Sequence, residues 1–321
     1  MEKVYIGVDV GGMSIKAGLV SKEGKILYRQ SRKTNSIEGG KETLLKDIKL
    51  LMLDLIKEAK EKDQKIEGIG FGIPGIVDNK LGMIVSCCNL NVDDVPLKDY
   101  LKDLNLPIFI SNDANVACLA EERYGNAKEF KDVILLTLGT GIGGGVVIDD
   151  KLFEGYEGKG CELGHMVIVV DGEPCGCGRK GCYEAYASAS ALLRYTKEEM
   201  LNNKDSMMWE YCGGDANNIS GLTSFECAKK GDPSANFVID KFVKYLSIGI
   251  LNYCNIFRPQ IFLIGGGLSN QGDYLINKVK AYCEKEHYGY KGTPAPEIRV
   301  ATLKNDAGII GAACLAMDGV K

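Results

Sequence analysis

No run of 18 uncharged apolar residues occurs in this 321-residue chain, so no membrane-spanning helix is expected. The amino terminus, MEKVYIGVDV, enters a strand-like pattern directly. It lacks the basic, apolar and cleavage segments of a secretion signal, and a reducing cytoplasm is the expected setting. No Cys-x-x-Cys spacing appears among the 12 cysteines, which argues against a redox pair. No low-complexity linker separates the halves of the chain. Charge of one sign is not in excess: the formal net charge is -4, which speaks against a general polyanion-binding surface while leaving local basic patches open.

What is present describes an ordinary globular protein, 45% hydrophobic and 26% charged, long enough for two domains. VYIGVDVGGMSIKAGLVSKEGKILYRQ reads as three short strands, the first two joined by a glycine turn. Leu44, Leu45, Ile48, Leu51, Leu55 and Ala59 then recur at helical spacing within residues 41–62. LPIFISNDANVACLAEERYG predicts a strand ending at Ser111 and a helix from about Asp113 to Gly125. DVILLTLGTGIGGGVVIDDKL repeats the opening theme, so a second half restarts near Val133. A long helix over about 235–257, a strand in IFLIGGG, and a last strand and closing helix complete the reading. Cys87, Cys118, Cys254 and Cys314 sit among apolar neighbours as small core residues, and His287, among polar ones, reads as a surface histidine.

Glycines at strand ends let backbone N–H groups approach a phosphate without Cβ interference. Gly11-Gly12, Gly139-Thr140-Gly141 and Gly265-Gly266-Gly267 form such a set. Each alone reads as a tight hairpin; the three together suggest a nucleotide held between two lobes. Asp9, beside Gly11-Gly12, can hold Mg2+ through water or simply form the turn. Asp113 suits a sugar hydroxyl with Asn112, and also suits a helix N-cap; the two roles are compatible.

The stretch CGCGRKGCYE places Cys175, Cys177 and Cys182 within eight residues, ten residues after His165. Three thiolates and one imidazole make a closed tetrahedral set for structural zinc; the alternative is an exposed turn with unligated thiols. Glu162 and Glu184 flank it, either as acceptors for ring hydroxyls or as solvated charges. A zinc knot would hold a substrate loop rigid. His165 as a general base is the competing role.

In order, GVDVGGMSIKAGLV, GIGFGIPGIVD, SNDANVACLAE, LLTLGTGIGGGVV, GCELGHM, CGCGRKGCYEAYAS and IFLIGGGLS resemble the motifs of ROK-family sugar kinases over residues 4–315. The resemblance implies an actin-like ATPase fold, α/β with ribonuclease-H-like cores, in two domains with a cleft between them. Residues 1–112 with 302–321 are expected to form the smaller domain, and 113–301 the larger. It implies ATP-dependent phosphorylation of a hexose, with Mg2+ and a structural zinc. Asp113 is similar to the family's catalytic base. Asn112, Glu162, His165 and Glu184 resemble its sugar contacts, joined by Gly75 and Asn89. His165, Cys175, Cys177 and Cys182 resemble its zinc ligands. Asp9, Gly11, Gly12, Ser14 and Lys16 match the first phosphate motif, Gly139, Thr140 and Gly141 the second, and Gly265, Gly266 and Gly267 the adenosine side. Met13 departs from the pattern, standing where the motif has threonine and removing a hydroxyl that could meet phosphate. The zinc-loop segments look most like the glucokinase branch, which favours glucose among glucose, N-acetylmannosamine, N-acetylglucosamine, allose and fructose. Expected partners are the hexose and ATP, with neither nucleic acid nor membrane, in a homodimer or homotetramer. The family also holds repressors with an added helix-turn-helix, for which no room is expected ahead of the first strand. A sugar sensor without turnover would need a lost base, and Asp113 is present.

Overall fold

A computed structural model describes residues 1–289 and 292–321. The strands in chain order are β1 (Glu2–Val10), β2 (Ser14–Ser21), β3 (Ile26–Lys33), β4 (Gln64–Ile73), β5 (Ile76–Asp78), β6 (Met83–Cys87), β7 (Val92–Val95), β8 (Ile108–Asn112), β9 (Val133–Leu138), β10 (Ile142–Ile148), β11 (Lys151–Leu152), β12 (Ile261–Gly265) and β13 (Glu297–Val300). The helices are α1 (Ser36–Glu61), α2 (Leu97–Tyr100), α3 (Asp113–Tyr124), α4 (Glu184–Ala187), α5 (Ala189–Asn202), α6 (Met207–Tyr211), α7 (Thr223–Lys229), α8 (Pro233–Phe257), α9 (Asp273–Glu286) and α10 (Ala307–Gly319).

Two five-stranded sheets share one pattern of order. The first runs β3-β2-β1-β4-β8, antiparallel through β3, β2 and β1 and parallel through β1, β4 and β8. The second runs β11-β10-β9-β12-β13, with β10 and β11 antiparallel and β12 and β13 parallel. The restart of the pattern near Val133 is therefore a repeat of topology as well as of motif. A small antiparallel sheet, β5-β6-β7, follows β4.

The chain divides into two compact units. The first comprises Met1–Leu135, Gly145–Cys161 and Thr302–Lys321; the second comprises Leu136–Gly144 and Glu162–Ala301. This division differs from the expected boundary at residues 112 and 113: residues 113–135 and 145–161 belong with the first unit. The reason is packing. Gly311 of α10 has no Cβ where the Val116 backbone of α3 passes, so the two helices meet backbone to backbone. The Glu121 carboxylate also accepts from the Leu303 N–H at 2.6 Å.

In the first unit, Leu44, Leu45, Ile48, Leu51, Met52 and Leu55 of α1 pack with Val4, Ile6 and Val8 of β1 in one cluster of buried apolar side chains. The period read from the sequence is thus the buried face of α1, although the helix begins at Ser36 and breaks at Gly40, where φ is 66°. Helix α10 joins a separate cluster, in which Ile309, Ala313, Ala316 and Met317 meet Tyr5 and Val20. Gly7 on β1 and Gly70 on β4 leave room for its backbone at Ile309 and Ala312. That close docking places the first turn of α10 beside Asp9.

Cys87, Cys118, Cys254 and Cys314 are buried, as expected. His287 is a correction: it is 9% exposed rather than a surface residue. Its Nδ1 lies 3.1 Å from the carbonyl oxygens of Cys283 and Glu284, and its Nε2 lies 2.8 Å from that of Thr293. Among the described residues, no helix is long and apolar enough to cross a membrane.

Candidate active site

In the first unit the turn after β1 is held by its own backbone. The Gly11 N–H donates to the Ser14 carbonyl at 3.0 Å, and the Thr34 hydroxyl donates to the Gly11 carbonyl at 2.7 Å. Met13 sits at the tip, 88% exposed, so its side chain contributes nothing to the turn's shape. Asp9 pairs with Lys16 across the hairpin. A Cβ on Gly308, in the first turn of α10, would stand 2.7 Å from the Asp9 Cγ, so only glycine fits there without moving the carboxyl. On its other side the turn meets Asn89, whose carbonyl oxygen lies 3.1 Å from where a Gly12 Cβ would be.

Strand β8 delivers Asn112 and Asp113 to the same unit. Asn112 is the N-cap of α3: its side chain accepts from the Ala114 N–H at 2.9 Å and donates to the Gly75 carbonyl at 3.1 Å. The Asp113 carboxylate accepts from the same N–H at 2.8 Å. The capping role expected of Asp113 thus falls mainly to Asn112, which leaves Asp113 a spare carboxylate oxygen. Burial pushes the Asp113 carboxyl above its ordinary value, opposed by the N–H groups of Ala114 and Asp113. Burial also raises Asp9, Lys16 pulls it down, and the Asp113 charge raises it further. Asp9 therefore feels the Asp113 charge, in an environment that favours protons or a cation.

In the second unit, the Gly139 N–H donates to the Gly141 carbonyl at 3.0 Å, and the Ala189 N–H donates to the Gly139 carbonyl at 2.8 Å. Gly266, with φ of 78°, leaves a place where a Cβ would lie 2.5 Å from the Leu138 carbonyl oxygen. The second and third glycine motifs are thus neighbours within one unit. Glu184, at the start of α4, accepts from the Ile142 N–H at 3.2 Å through Oε2, which occupies the space a Gly141 side chain would need.

The donor atoms of His165, Cys175, Cys177 and Cys182 all lie within 4.8 Å of one another. Cys177 Sγ is 3.7 Å from Cys182 Sγ, and Cys175 Sγ is 3.6 Å from His165 Nδ1. A tetrahedron with zinc–sulfur bonds of about 2.3 Å has edges of about 3.8 Å, so the four groups fit such an ion. The scaffold is β-like: Cys175 N–H donates to the Arg179 carbonyl at 2.9 Å, and Ile168 N–H to that of Gly181 at 2.9 Å. Long-range anchors reach α8, where the Tyr183 hydroxyl donates to the Leu246 carbonyl at 2.7 Å and the Tyr253 hydroxyl donates to that of Leu163. Glu184 reaches this cluster as well, with Oε1 3.0 Å from Cys175 Sγ. Glu162 is exposed at the edge of the same loop.

Residues 5–319 match the model of the ROK family. The chain belongs to that family. A glucokinase of Halalkalibacterium halodurans is 36% identical over 315 residues, covering 97% of this chain and 94% of that protein. A glucokinase of Thermotoga maritima is 36% identical, covering 98% of each. The crystal structure of a ROK family glucokinase from Streptomyces griseus, in complex with glucose and AMPPNP, matches with a TM-score of 0.80 and 34% identity over 98% of this chain and 100% of that one. The ROK architecture is the actin-like ATPase fold, and the two sheets of like order are its repeated cores.

Two groups in this site carry no motif signal. Gly308 matters only because of what α10 packs against. Glu154 lies in a glycine-rich strap, FEGYEGKG, whose pattern says loop and nothing more.

The raised carboxyl of Asp113 has a consequence for stability. A folded-state value above the unfolded one adds no penalty below the ordinary aspartate range and weakens the fold as pH rises through the folded value. Asp113→Asn keeps an oxygen for the Ala114 N–H and removes the charge. The variant should unfold at a higher temperature than the parent at pH 7, with the gap closing toward pH 3. A variant less stable than the parent at pH 7 would contradict the assigned burial cost.

Proposed function

We propose that this ROK-family chain transfers the γ-phosphoryl group of ATP to the 6-hydroxyl of a hexose, with glucose as the substrate. The observation that carries the reading is the Asp113 carboxyl, half-buried at a strand-to-helix junction and near enough to Asp9 for its charge to be felt there. As the hydroxyl oxygen attacks the γ-phosphorus, the bond to the bridging oxygen breaks and ADP leaves. The hydroxyl proton passes to Asp113. A raised pKa makes Asp113 a better acceptor for that proton, provided it is ionised when the sugar arrives. Mg2+, when bound near Asp9, neutralises charge on the phosphates. The Gly11 and Gly139 N–H groups are spent within their own turns, so the N–H groups of Gly12, Thr140 and Gly141 are the ones that would serve phosphate oxygens, and Gly265–Gly267 the adenosine side.

Gly75, Asn89, Asn112, Glu162, His165 and Glu184 would supply polar groups for the sugar. Carboxylates accept from hydroxyls, which suits an unsubstituted ring. The cluster of His165, Cys175, Cys177 and Cys182 would hold a structural zinc. The Nδ1 edge of His165 faces Cys175, so a metal bound through Nδ1 leaves Nε2–H to donate to a sugar hydroxyl. Ligation and sugar contact, which compete on paper, use different nitrogens. A cytoplasmic homodimer or homotetramer goes with this reading.

The reading is tested by kcat/KM with ATP over glucose, N-acetylmannosamine, N-acetylglucosamine, allose and fructose. Glucose should lead. An N-acetylated hexosamine ahead by about tenfold, or roughly 1.4 kcal/mol, would overturn glucose as substrate. No phosphorylation of any of the five would overturn the kinase. Separately, chelator-free protein should carry about one zinc per chain by elemental analysis. Cys177→Ser should lose it and bind glucose more weakly in calorimetry, because Glu184 and His165 lose their support. Metal-free parent protein with full glucose affinity would refute the structural zinc.

A further inference from the structure

We infer that Glu154 is a positioning residue for the sugar-binding side of the first unit, holding the segments that carry Gly75, Asn112 and Asp113 at a fixed separation. The inference rests on the hexose-kinase reading and adds to it a residue that no motif marks.

Glu154 lies two residues after the end of β11 and enters a strap of unusual backbone. Gly155, Glu157, Gly158 and Cys161 all have positive φ, at 70°, 57°, 72° and 62°. Such a conformation persists only where other contacts impose it. The Gly160 N–H closes the strap on the Glu154 carbonyl at 2.8 Å, and the Phe153 N–H ties its start to the Val146 carbonyl at 2.8 Å. The Glu154 side chain is thereby aimed inward, half-buried rather than solvated.

Its two oxygens serve two different segments. Oε1 accepts from the Ser111 hydroxyl at 2.5 Å, and Oε2 accepts from the Asn79 amide at 3.0 Å. Ser111 is fully buried and lies two residues before Asp113. The Ser111 oxygen in turn accepts from Asn115 Nδ2 at 3.3 Å, so the carboxylate reaches the first turn of α3 through one hydroxyl. Asn79 follows β5, four residues after Gly75, whose carbonyl accepts from Asn112. The segment of residues 75–79 and the segment of residues 111–115 are therefore joined twice: directly by Asn112 on Gly75, and through Glu154 by Ser111 and Asn79.

The direct link is a single neutral hydrogen bond between half-exposed groups. The link through Glu154 uses a charged, half-buried acceptor with one donor from each side. Hydrogen bonds to an ionised acceptor are shorter and stronger than neutral ones. Burial pushes the Glu154 carboxyl up, and the Ser111 and Asn79 donors pull it down. A carboxylate with those two donors removed would be a costly buried charge, so the three groups stay together or come apart together.

A sugar seated between Gly75 and Asn112–Asp113 would feel any change in that separation, whereas the glycine turn at residues 11–12 would not. Steady-state kinetics on the full chain tests this with Glu154→Ala, Glu154→Gln, Ser111→Ala and the Glu154→Ala/Ser111→Ala pair. Glu154→Ala should raise the glucose KM by about tenfold or more and leave the ATP KM within about twofold. Glu154→Gln keeps one acceptor for Ser111, and the Asn79 amide can turn to meet the new donor; it should recover to within about threefold of the parent. The double variant should be no worse than Glu154→Ala alone, as expected for groups acting as one unit. A parent enzyme that phosphorylates hexoses while Glu154→Ala keeps its glucose KM would overturn the positioning role and leave the kinase standing. Equal rises in both KM values, or a Glu154→Gln as poor as Glu154→Ala, would overturn it too, since they mark loss of fold rather than of alignment. Should Glu154→Ala not fold, Ser111→Ala and Glu154→Gln decide alone, by the same split between the two KM values. A parent that phosphorylates no hexose would remove the reading on which the inference rests.

Discussion

The structure of the first unit turns on one costly placement: two carboxylates, Asp9 and Asp113, each pushed toward the protonated form by burial, with the Asp113 charge adding to the effect at Asp9. Left to themselves, half-buried like charges would move apart or protonate. Here the backbone forbids the first escape. Asp9 is fixed in the ladder between β2 and β4, and Gly308 closes over its Cγ. Asp113 is fixed by the turn from β8 into α3. The close docking of α10, made possible by Gly7, Gly70 and Gly311, is what brings those constraints into one unit. The strain is useful, because a site that favours protons or a cation is suited to metal-bound phosphates and to taking a proton from a hydroxyl.

The second unit solves a different problem. Its substrate candidates sit on loops, and loops need an external brace to hold a side chain in place. A metal on His165, Cys175, Cys177 and Cys182 would supply it locally, and the buried hydroxyls of Tyr183 and Tyr253 tie the same loop to α8. Glu184 joins the two functions, with one oxygen on the Ile142 N–H beside the second glycine turn and the other against Cys175. A change at the cluster should therefore be felt at the second glycine turn as well.

Much of this was legible in the sequence where the chemistry is local. Asp113 could be read because an apolar strand stops and a helix starts within two residues. The clustering of His165, Cys175, Cys177 and Cys182 could be read because three thiols and a histidine lie within 18 positions. The repeat of strand, glycine turn and strand announced a repeated core. What could not be read depends on distant packing. Residues 113–135 fall with the first unit because α3 meets α10, nearly 200 positions later. His287 is buried because three backbone carbonyls surround its ring, and no pattern of side chains encodes that. Glu154 looks like any charge in a glycine-rich loop until Ser111 and Asn79 are seen against it. The cap position of α3 is Asn112, one residue earlier than expected, and Asp113 accepts from the same Ala114 N–H with one oxygen while keeping the other.

The central claim is that Asp113 accepts the proton of the attacking hydroxyl. Turnover of Asp113→Asn with saturating ATP and glucose, alongside calorimetric glucose binding, addresses it directly. The account predicts a loss in kcat of about 10²–10⁴-fold, the usual range for a general base, with glucose still bound. A folded variant that binds glucose and turns over at the parent rate would contradict it.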